Sequence, residues 1–383
     1  MTFTSKVAVR NAWIAWAVLF LAVAAIMISG SQRSVVLNYR MAALNWVNGT
    51  SLYDGLGVGG FTYLPQSALL YLPFALLPET LSEVLWRLFN IAVFALGIRE
   101  FGRLASGKAG PDLFPLLTLV SIPLAWSCAR NGQTTLIMAG LMMFAVADIS
   151  REKWWRATLW LMLSVAFKPL SIVLILLVAA IDRPMSWRVL VGLAALFAAP
   201  FLAQAPGYVM SQYTGFLQNT TTAAHVGAVE KGWTTLFNAL TVTGINVAER
   251  VQTVIRLAAA GVTLALCWAA RKRHDSDRSA IFVYTLAAAY LMLFSPRTEN
   301  NTYAMLGPSI ALFLASDWLI EKRTVPAALL GGMVVVMVAS RKIERTLTPM
   351  AGTSWILPLM AVLFTAHVIA RLFEHGEQRT ASD

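Results

Sequence analysis

Long apolar runs recur along almost the whole chain, and this repetition constrains the fold more than any other feature of the sequence. A helix needs about 20 mainly apolar residues to cross a bilayer, whereas membrane-spanning strands alternate apolar and polar residues. The unbroken runs therefore favour helices over a barrel of strands. Charged residues make up 13% of the chain, against about 25% in average soluble domains. The sequence predicts an all-α, polytopic transmembrane helical bundle, with residues 1–383 forming a single integral membrane domain.

The apolar runs mark twelve candidate membrane helices. The first, 12–30, follows Lys6 and Arg10; it is too long for the apolar core of a signal peptide and lacks a convincing cleavage site,. We therefore expect it to remain as an uncleaved first helix. The other candidates are 61–78, 84–98, 113–129, 132–148, 157–181, 188–204, 250–270, 279–295, 302–319, 325–340 and 352–371.

Basic residues indicate how the chain is oriented in the membrane. The net charge of +11 comes from 30 Lys and Arg against 19 Asp and Glu. Because the basic residues concentrate in short loops, we attribute them to the positive-inside rule and to contact with anionic lipids, and we expect no binding of nucleic acid. Four clusters are assigned to the cytoplasm: Arg151 to Arg156, Arg183 with Arg188, Arg271 to Arg278, and Lys322 with Arg323.

This orientation places two long polar regions on the outer side of the membrane. The first outer loop, 31–60, has apolar residues near helical spacing over 35–47, which predicts an amphipathic helix on the membrane surface,. The second long outer loop is 205–249. The same orientation puts 341–351 outside, so its three basic residues run against the positive-inside rule,.

Segment 157–181 starts and ends beside cytoplasmic clusters, although it is too short to cross the bilayer twice,. A pair of short helices that turns part-way through the membrane at Lys168-Pro169 fits this length. Such a turn is tolerated where it lines a water-filled cavity or is buried in protein. Lys168 is then a candidate phosphate ligand at the floor of an outward-facing cavity; alternatively, it snorkels to an interface or pairs with a carboxylate.

Three further polar constellations could carry chemistry. Asn131 and Gln133 supply amide donors and acceptors that suit sugar hydroxyls, although a plain polar hairpin explains them equally well. Between two later helices, Arg297 could hold phosphate and Glu299 could accept a proton, or the two could form a local ion pair in a solvated loop. Asp54 is a candidate general base, although an Asp in a glycine-rich loop is more often a turn former.

These motifs, in this order, resemble glycosyltransferase family 87, a family of integral-membrane transferases of the GT-C type. The resemblance covers about residues 35–305. It implies a GT-C-like bundle with short or broken helices around an outward-facing cavity. It also implies transfer of a sugar from a polyprenyl-phosphate donor, as in the related mannosyltransferases, to a glycan or lipid acceptor on the outer face. The matching stretches are Asn38 to Asp54, Phe61 to Pro78, Asn131-Gly132-Gln133, Lys168-Pro169 and Ser295-Pro296.

The resemblance also suggests which residues form the site. Asp54 and Glu299 are the candidate catalytic carboxylates. Family members tend to carry an Asp shortly before the position of Tyr39, and this chain has no acid there. The base is then Asp54, Glu299 or a residue elsewhere, or the protein is a non-catalytic GT-C-like protein. The candidate substrate-binding residues are Lys168, Arg297, Tyr39, Arg40, Tyr63, Gln66, Asn131 and Gln133.

The remaining expectations concern cofactors, location and the competing function. The four histidines and two cysteines show no metal-ligand spacing,. We expect no metal and no cofactor, the polyprenyl-phosphate sugar being a substrate. We expect a multi-pass protein of a bacterial inner or plasma membrane with its active site on the outer, periplasmic side. The alternative function is a secondary transporter or lipid flippase of an envelope glycan pathway, although the two related halves common in transporters are not visible.

Overall fold

The computed structural model describes residues 5–30, 34–53, 60–107, 110–224, 233–296, 298–348 and 354–374. These residues contain sixteen α-helices and no β-strand, which confirms the predicted all-α class. The helices are α1 (Lys6–Ile28), α2 (Val36–Asn48), α3 (Pro65–Ala75), α4 (Glu79–Ser106), α5 (Phe114–Asn131), α6 (Thr135–Ser150), α7 (Trp154–Phe167), α8 (Ile172–Ile181), α9 (Arg183–Ala198), α10 (Pro206–Ala224), α11 (Leu236–Val242), α12 (Glu249–Arg273), α13 (Ser276–Phe294), α14 (Gly307–Ala315), α15 (Thr324–Leu347) and α16 (Ile356–Glu374).

Several of these helices cross a membrane. Eight described helical stretches are long and apolar enough to do so, and each of the twelve predicted membrane segments overlaps a helix. The segment predicted at 61–78 contains only α3, whose 11 residues span about 16 Å,. Helix α4 has 28 residues and spans about 42 Å,. The chain is therefore a multi-pass membrane protein in which α4 crosses the bilayer and α3 is too short to do so.

The four basic clusters lie together on one face of the bundle, as predicted, and we call this the basic face. Arg278 and Glu321 line one small cavity on this face. Ion pairs on the same face join segments that are far apart in sequence. The pairs are Glu100 with Arg151 at 3.0 Å, Asp182 with Arg271 at 2.9 Å, and Glu374 with Arg323 at 2.6 Å.

The two long polar regions meet on the opposite face, which we call the loop face. The predicted amphipathic helix is confirmed as α2, which buries residues at a spacing of three and four, among them Tyr39 and Trp46,. Region 205–249, predicted as a loop, contains α10 and α11. Polar residues interrupt its apolar ones, so no long apolar run in the sequence indicates these two helices. Gln212 Oε1 of α10 accepts a hydrogen bond from the backbone N–H of Leu52 at 2.9 Å.

Helix α15 extends beyond its predicted end, to Leu347, and carries the three basic residues of 341–345 in its last two turns. Arg341 lines a cavity together with Arg130 at the end of α5. The backbone C=O of Asn131, the next residue, accepts a hydrogen bond from the N–H of Val35 at 3.0 Å. The three basic residues therefore lie on the loop face, away from the four clusters, as the sequence predicts.

The predicted pair of short helices around Lys168 is confirmed. Helix α7 ends at Phe167, Pro169 to Ser171 form one 3₁₀ turn, and α8 follows from Ile172. Lys168 is extended, with φ −152° and ψ 118°, which is the conformation favoured before a proline. Because Asp182, at the end of α8, pairs with a residue of the basic face, the chain enters the bundle from that face and returns to it.

Helix α6 lies at the centre of the bundle. It is buried on all sides from Thr135 to Ile149, apart from the half-buried Phe144, as expected for a helix that is apolar all round. Gly97 of α4 and Gly140 of α6 let the two backbones approach closely, since a Cβ at Gly97 would lie 2.7 Å from the Gly140 Cα. Helix α6 thus packs closely against α4, while its first residue, Thr135, accepts a hydrogen bond from Lys168.

Candidate active site

A cavity of about 420 Å³ opens near the loop face and brings distant parts of the chain together. Its walls come from the segment before α3, the turn between α7 and α8, α10, α12, and the end of α13 with the residues that follow it. Most of the lining side chains are aliphatic or aromatic, and a few polar groups converge among them. This mixture is typical of ligand sites.

Lys168 lines this cavity and is half-buried. Its Nζ donates to Thr135 Oγ1 of α6 at 2.7 Å. No carboxylate pairs with this ammonium among the residues that the structure describes. A lysine ammonium has three N–H donors, and one is used in the bond to Thr135. The other two donors have no carboxylate partner among the described residues.

Glu299 lines the same cavity, and its Oε2 accepts a hydrogen bond from Gln133 Nε2 at 2.8 Å. The bond joins two sequence candidates from separate constellations. Gln133 reaches this position because the chain turns sharply at Gly132, whose φ is +68°. A Cβ at Gly132 would lie 2.3 Å from Val36 Cγ2. Gln133 thus fixes one carboxylate oxygen of Glu299 and leaves the other available to a ligand.

Two tyrosines form a further part of the wall. Tyr63 lines the cavity, and its hydroxyl lies 3.0 Å from that of Tyr39. Tyr39 is 2% exposed and supports Tyr63 from behind. Tyr53 donates from its hydroxyl to the backbone C=O of Tyr63 at 2.8 Å. Of this group, only Tyr63 is placed to contact a ligand directly.

Three other sequence candidates lie in structural contacts outside the cavity wall. Gln66 Nε2 donates to the Tyr213 hydroxyl at 2.7 Å and to the C=O of Leu196 at 3.0 Å. Arg40 Nη1 donates to the C=O of Leu77 at 2.8 Å, and Asn131 ends α5. These contacts connect the helices of the loop face. The remaining two candidates, Asp54 and Arg297, lie outside the described residues.

The cavity also contains a cation that is not among the sequence candidates. Arg256 of α12 lines it, with its guanidinium carbon 5.0 Å from the centre of the Phe237 ring and its Nη2 donating to Gln252 Oε1 at 2.9 Å. Tyr290 donates to the C=O of Arg256 at 3.2 Å. The segment 250–270 begins at Arg250, and the charge of Arg256 inside its apolar part is the signal that indicates this cation,.

Together these groups suit an amphiphilic anion that carries hydroxyl groups. Lys168 and Arg256 provide positive charge, Glu299 provides one carboxylate, and apolar walls surround them. The described residues contain no group of three or more His, Cys, Asp or Glu side chains that could hold a metal ion. The arrangement can bind a phosphate, accept a proton and accommodate a hydrocarbon chain.

Comparison with known proteins gives a family match. The family model of glycosyltransferase family 87 matches residues 61–296. The match includes the Lys168 turn, α12 and the end of α13, and it stops just before Glu299. No curated protein sequence is significantly similar to the chain.

Proposed function

We propose a specific reaction for this chain, which belongs to glycosyltransferase family 87 and is thus a membrane glycosyltransferase. In this reaction it transfers a hexose from a polyprenyl-phosphate donor. Mannose is our first choice of sugar, and a glycan or a lipid is the acceptor. One observation carries the proposal: the cavity combines two cations with apolar walls. A nucleotide sugar needs no apolar wall, whereas a polyprenyl phosphate must keep its tail in lipid while its head reaches water.

Lys168 and Arg256 line the same cavity, and in this proposal they bind the donor phosphate. In the transfer, the bond between the anomeric carbon and the phosphate oxygen breaks, and the electron pair leaves with polyprenyl phosphate. Charge therefore grows on that phosphate as the reaction proceeds. Preorganised donors such as the Lys168 ammonium and the Arg256 guanidinium stabilise charge that develops in this way.

Glu299 is our choice of general base among the described residues. The acceptor hydroxyl attacks the anomeric carbon from the side opposite the leaving phosphate, and its proton passes to the Glu299 carboxylate. Gln133 holds that carboxylate through its 2.8 Å hydrogen bond. A single displacement of this kind inverts the configuration at the anomeric carbon. Asp54 remains the second candidate for this role.

The positive-inside rule supports a position for the cavity on the outer side. The basic face carries the four Lys and Arg clusters, which are expected in the cytoplasm, and the cavity lies toward the loop face. A donor held there would react at the outer surface of a bacterial inner or plasma membrane. This placement also lets the polyprenyl tail remain in the outer leaflet.

A donor panel tests the proposal. The purified full-length chain is incubated with polyprenyl-phosphate mannose, glucose or galactose, or in parallel with GDP-mannose or UDP-glucose, with a total membrane lipid extract as acceptor. Mass spectrometry then detects polyprenyl phosphate and the glycosylated product. We expect turnover with a polyprenyl-phosphate hexose alone. Turnover confined to a nucleotide sugar would refute the donor class, and movement of intact donor across vesicles without its cleavage would indicate a flippase.

A further inference from the structure

A second cavity lies on the loop face, on the other side of the 3₁₀ turn 300–305 from the active-site cavity. It has a volume of about 450 Å³ and lies between α5 and α15. Asn300 and Asn301 line it, whereas their neighbours Glu299 and Thr302 line the active-site cavity. The two cavities therefore share this short segment as a wall.

The end of this second cavity at the loop face is cationic. Arg130, in the last turn of α5, and Arg341, in the last two turns of α15, both line it. Neither arginine pairs with a carboxylate among the described residues. Arg130 Nε and Asn301 Oδ1 are buried and have no hydrogen-bond partner in the described part of the chain. Arg130 is half-buried and Arg341 is exposed, so an anion can reach both guanidinium groups. An anion would also give the buried Arg130 Nε the acceptor that it lacks,.

The other end of the cavity is apolar. Ile122 and Pro123 of α5 and Met337 and Val338 of α15 line it. Ile122 precedes Arg130 by eight residues, or about 12 Å along the helix, in the direction of the bilayer centre. Trp126 lies between the two ends, and a tryptophan is common at the level of lipid headgroups. The cavity thus changes from polar to apolar along the membrane normal.

We propose that this second cavity binds the phosphate headgroup of an anionic membrane lipid, with Arg130 and Arg341 as the phosphate ligands and an acyl chain along α5 and α15. Guanidinium groups bind phosphate oxygens through paired hydrogen bonds. The dipole of α5 explains why Arg130 alone is favourable at a helix end, but it does not explain a second arginine directed into the same cavity. A lipid phosphate also accounts for basic residues on the face where the positive-inside rule does not place them. The inference does not depend on the sugar donor.

Lipid binding tests the inference directly. The full-length protein is purified in detergent, stripped of lipid and titrated with phosphatidylglycerol or phosphatidylcholine of equal chain length, and bound lipid is counted by native mass spectrometry. Both lipids carry a phosphate, but the choline cation of phosphatidylcholine would lie beside Arg130 and Arg341 and be repelled by them. We therefore expect one phosphatidylglycerol to bind roughly tenfold more tightly than phosphatidylcholine. Equal affinity for the two lipids would overturn the proposal.

Matched variants assign the binding to this cavity. Arg341→Gln and Arg130→Gln should each weaken phosphatidylglycerol binding about tenfold. Lys342→Gln removes the same charge from the next residue of α15, which does not line the cavity, and should leave binding unchanged. An equal loss in Lys342→Gln would show a general field effect and refute the site. A separate titration uses sn-glycerol 3-phosphate, and binding as tight as that of the lipid would overturn the lipid part of the proposal.

Discussion

Replacing Lys168 with methionine tests the proposed role of the cavity cation. The substitution keeps a chain of similar length and removes the ammonium, whose Nζ lies 2.7 Å from Thr135 Oγ1. The leaving phosphate gains negative charge in the transition state, so a preorganised donor stabilises that state more than the bound donor substrate. One such donor typically contributes 10²- to 10³-fold to kcat. We therefore expect Lys168→Met to lower kcat by about this factor.

The assay follows release of polyprenyl phosphate from polyprenyl-phosphate mannose by mass spectrometry. Lys153→Met is the matched control, because Lys153 is exposed on the basic face and the substitution is the same. Lys168→Arg keeps the positive charge and should retain part of the turnover. Thermal unfolding of each variant separates loss of chemistry from loss of fold.

Either of two results would refute the reasoning about Lys168. If Lys168→Met is folded and turns over polyprenyl-phosphate mannose at the wild-type rate, the ammonium does not stabilise the leaving group. If Lys153→Met loses as much activity as Lys168→Met, the effect of Lys168 is not specific to the cavity. The role of Arg256 would then be measured in the same way with Arg256→Met.

Three further predictions test the base, the packing and the basic face. Glu299→Gln should lower kcat about 10²- to 10⁴-fold in single-turnover assays; undiminished turnover would exclude it as the base. Gly140→Ala would bring a Cβ within 2.5 Å of the Val93 carbonyl oxygen and should cost about 1–3 kcal/mol in thermal unfolding, whereas Gly332→Ala, with open space around it, should not. Burial raises the pKa of Asp182, and Arg271 opposes this rise. A folded protein becomes less stable as pH increases when one of its acids has a raised pKa, and loss of Arg271 raises the pKa of Asp182 further. Arg271→Met should therefore lower Tm more at pH 7 than at pH 5; an equal loss at both would contradict this.

Local sequence features predicted much of the fold but only part of the site. Apolar runs and basic clusters are local, so they predicted the membrane helices, the basic face and the turn at Lys168-Pro169. The apolar length of segment 250–270 indicates a membrane helix, and only the charge of Arg256 within it indicates a site,. The bond between Gln133 and Glu299 joins residues 166 positions apart, and no local pattern encodes such a pairing. Which candidates share a cavity depends on helix packing, as Gln66 shows by bonding to Tyr213 instead.

The first turn of α6 connects the two chemical roles proposed for the cavity. Thr135 accepts the hydrogen bond from Lys168, and Gln133, two residues earlier, donates to Glu299. The cation and the carboxylate are thus positioned by one short stretch of backbone, and that stretch continues into a helix buried on nearly every side. A shift of α6 therefore moves both groups relative to a bound donor. Since displacements of about 1 Å can cost 10²-fold in rate, Gly140→Ala should reduce kcat as well as Tm, even though Gly140 does not line the cavity.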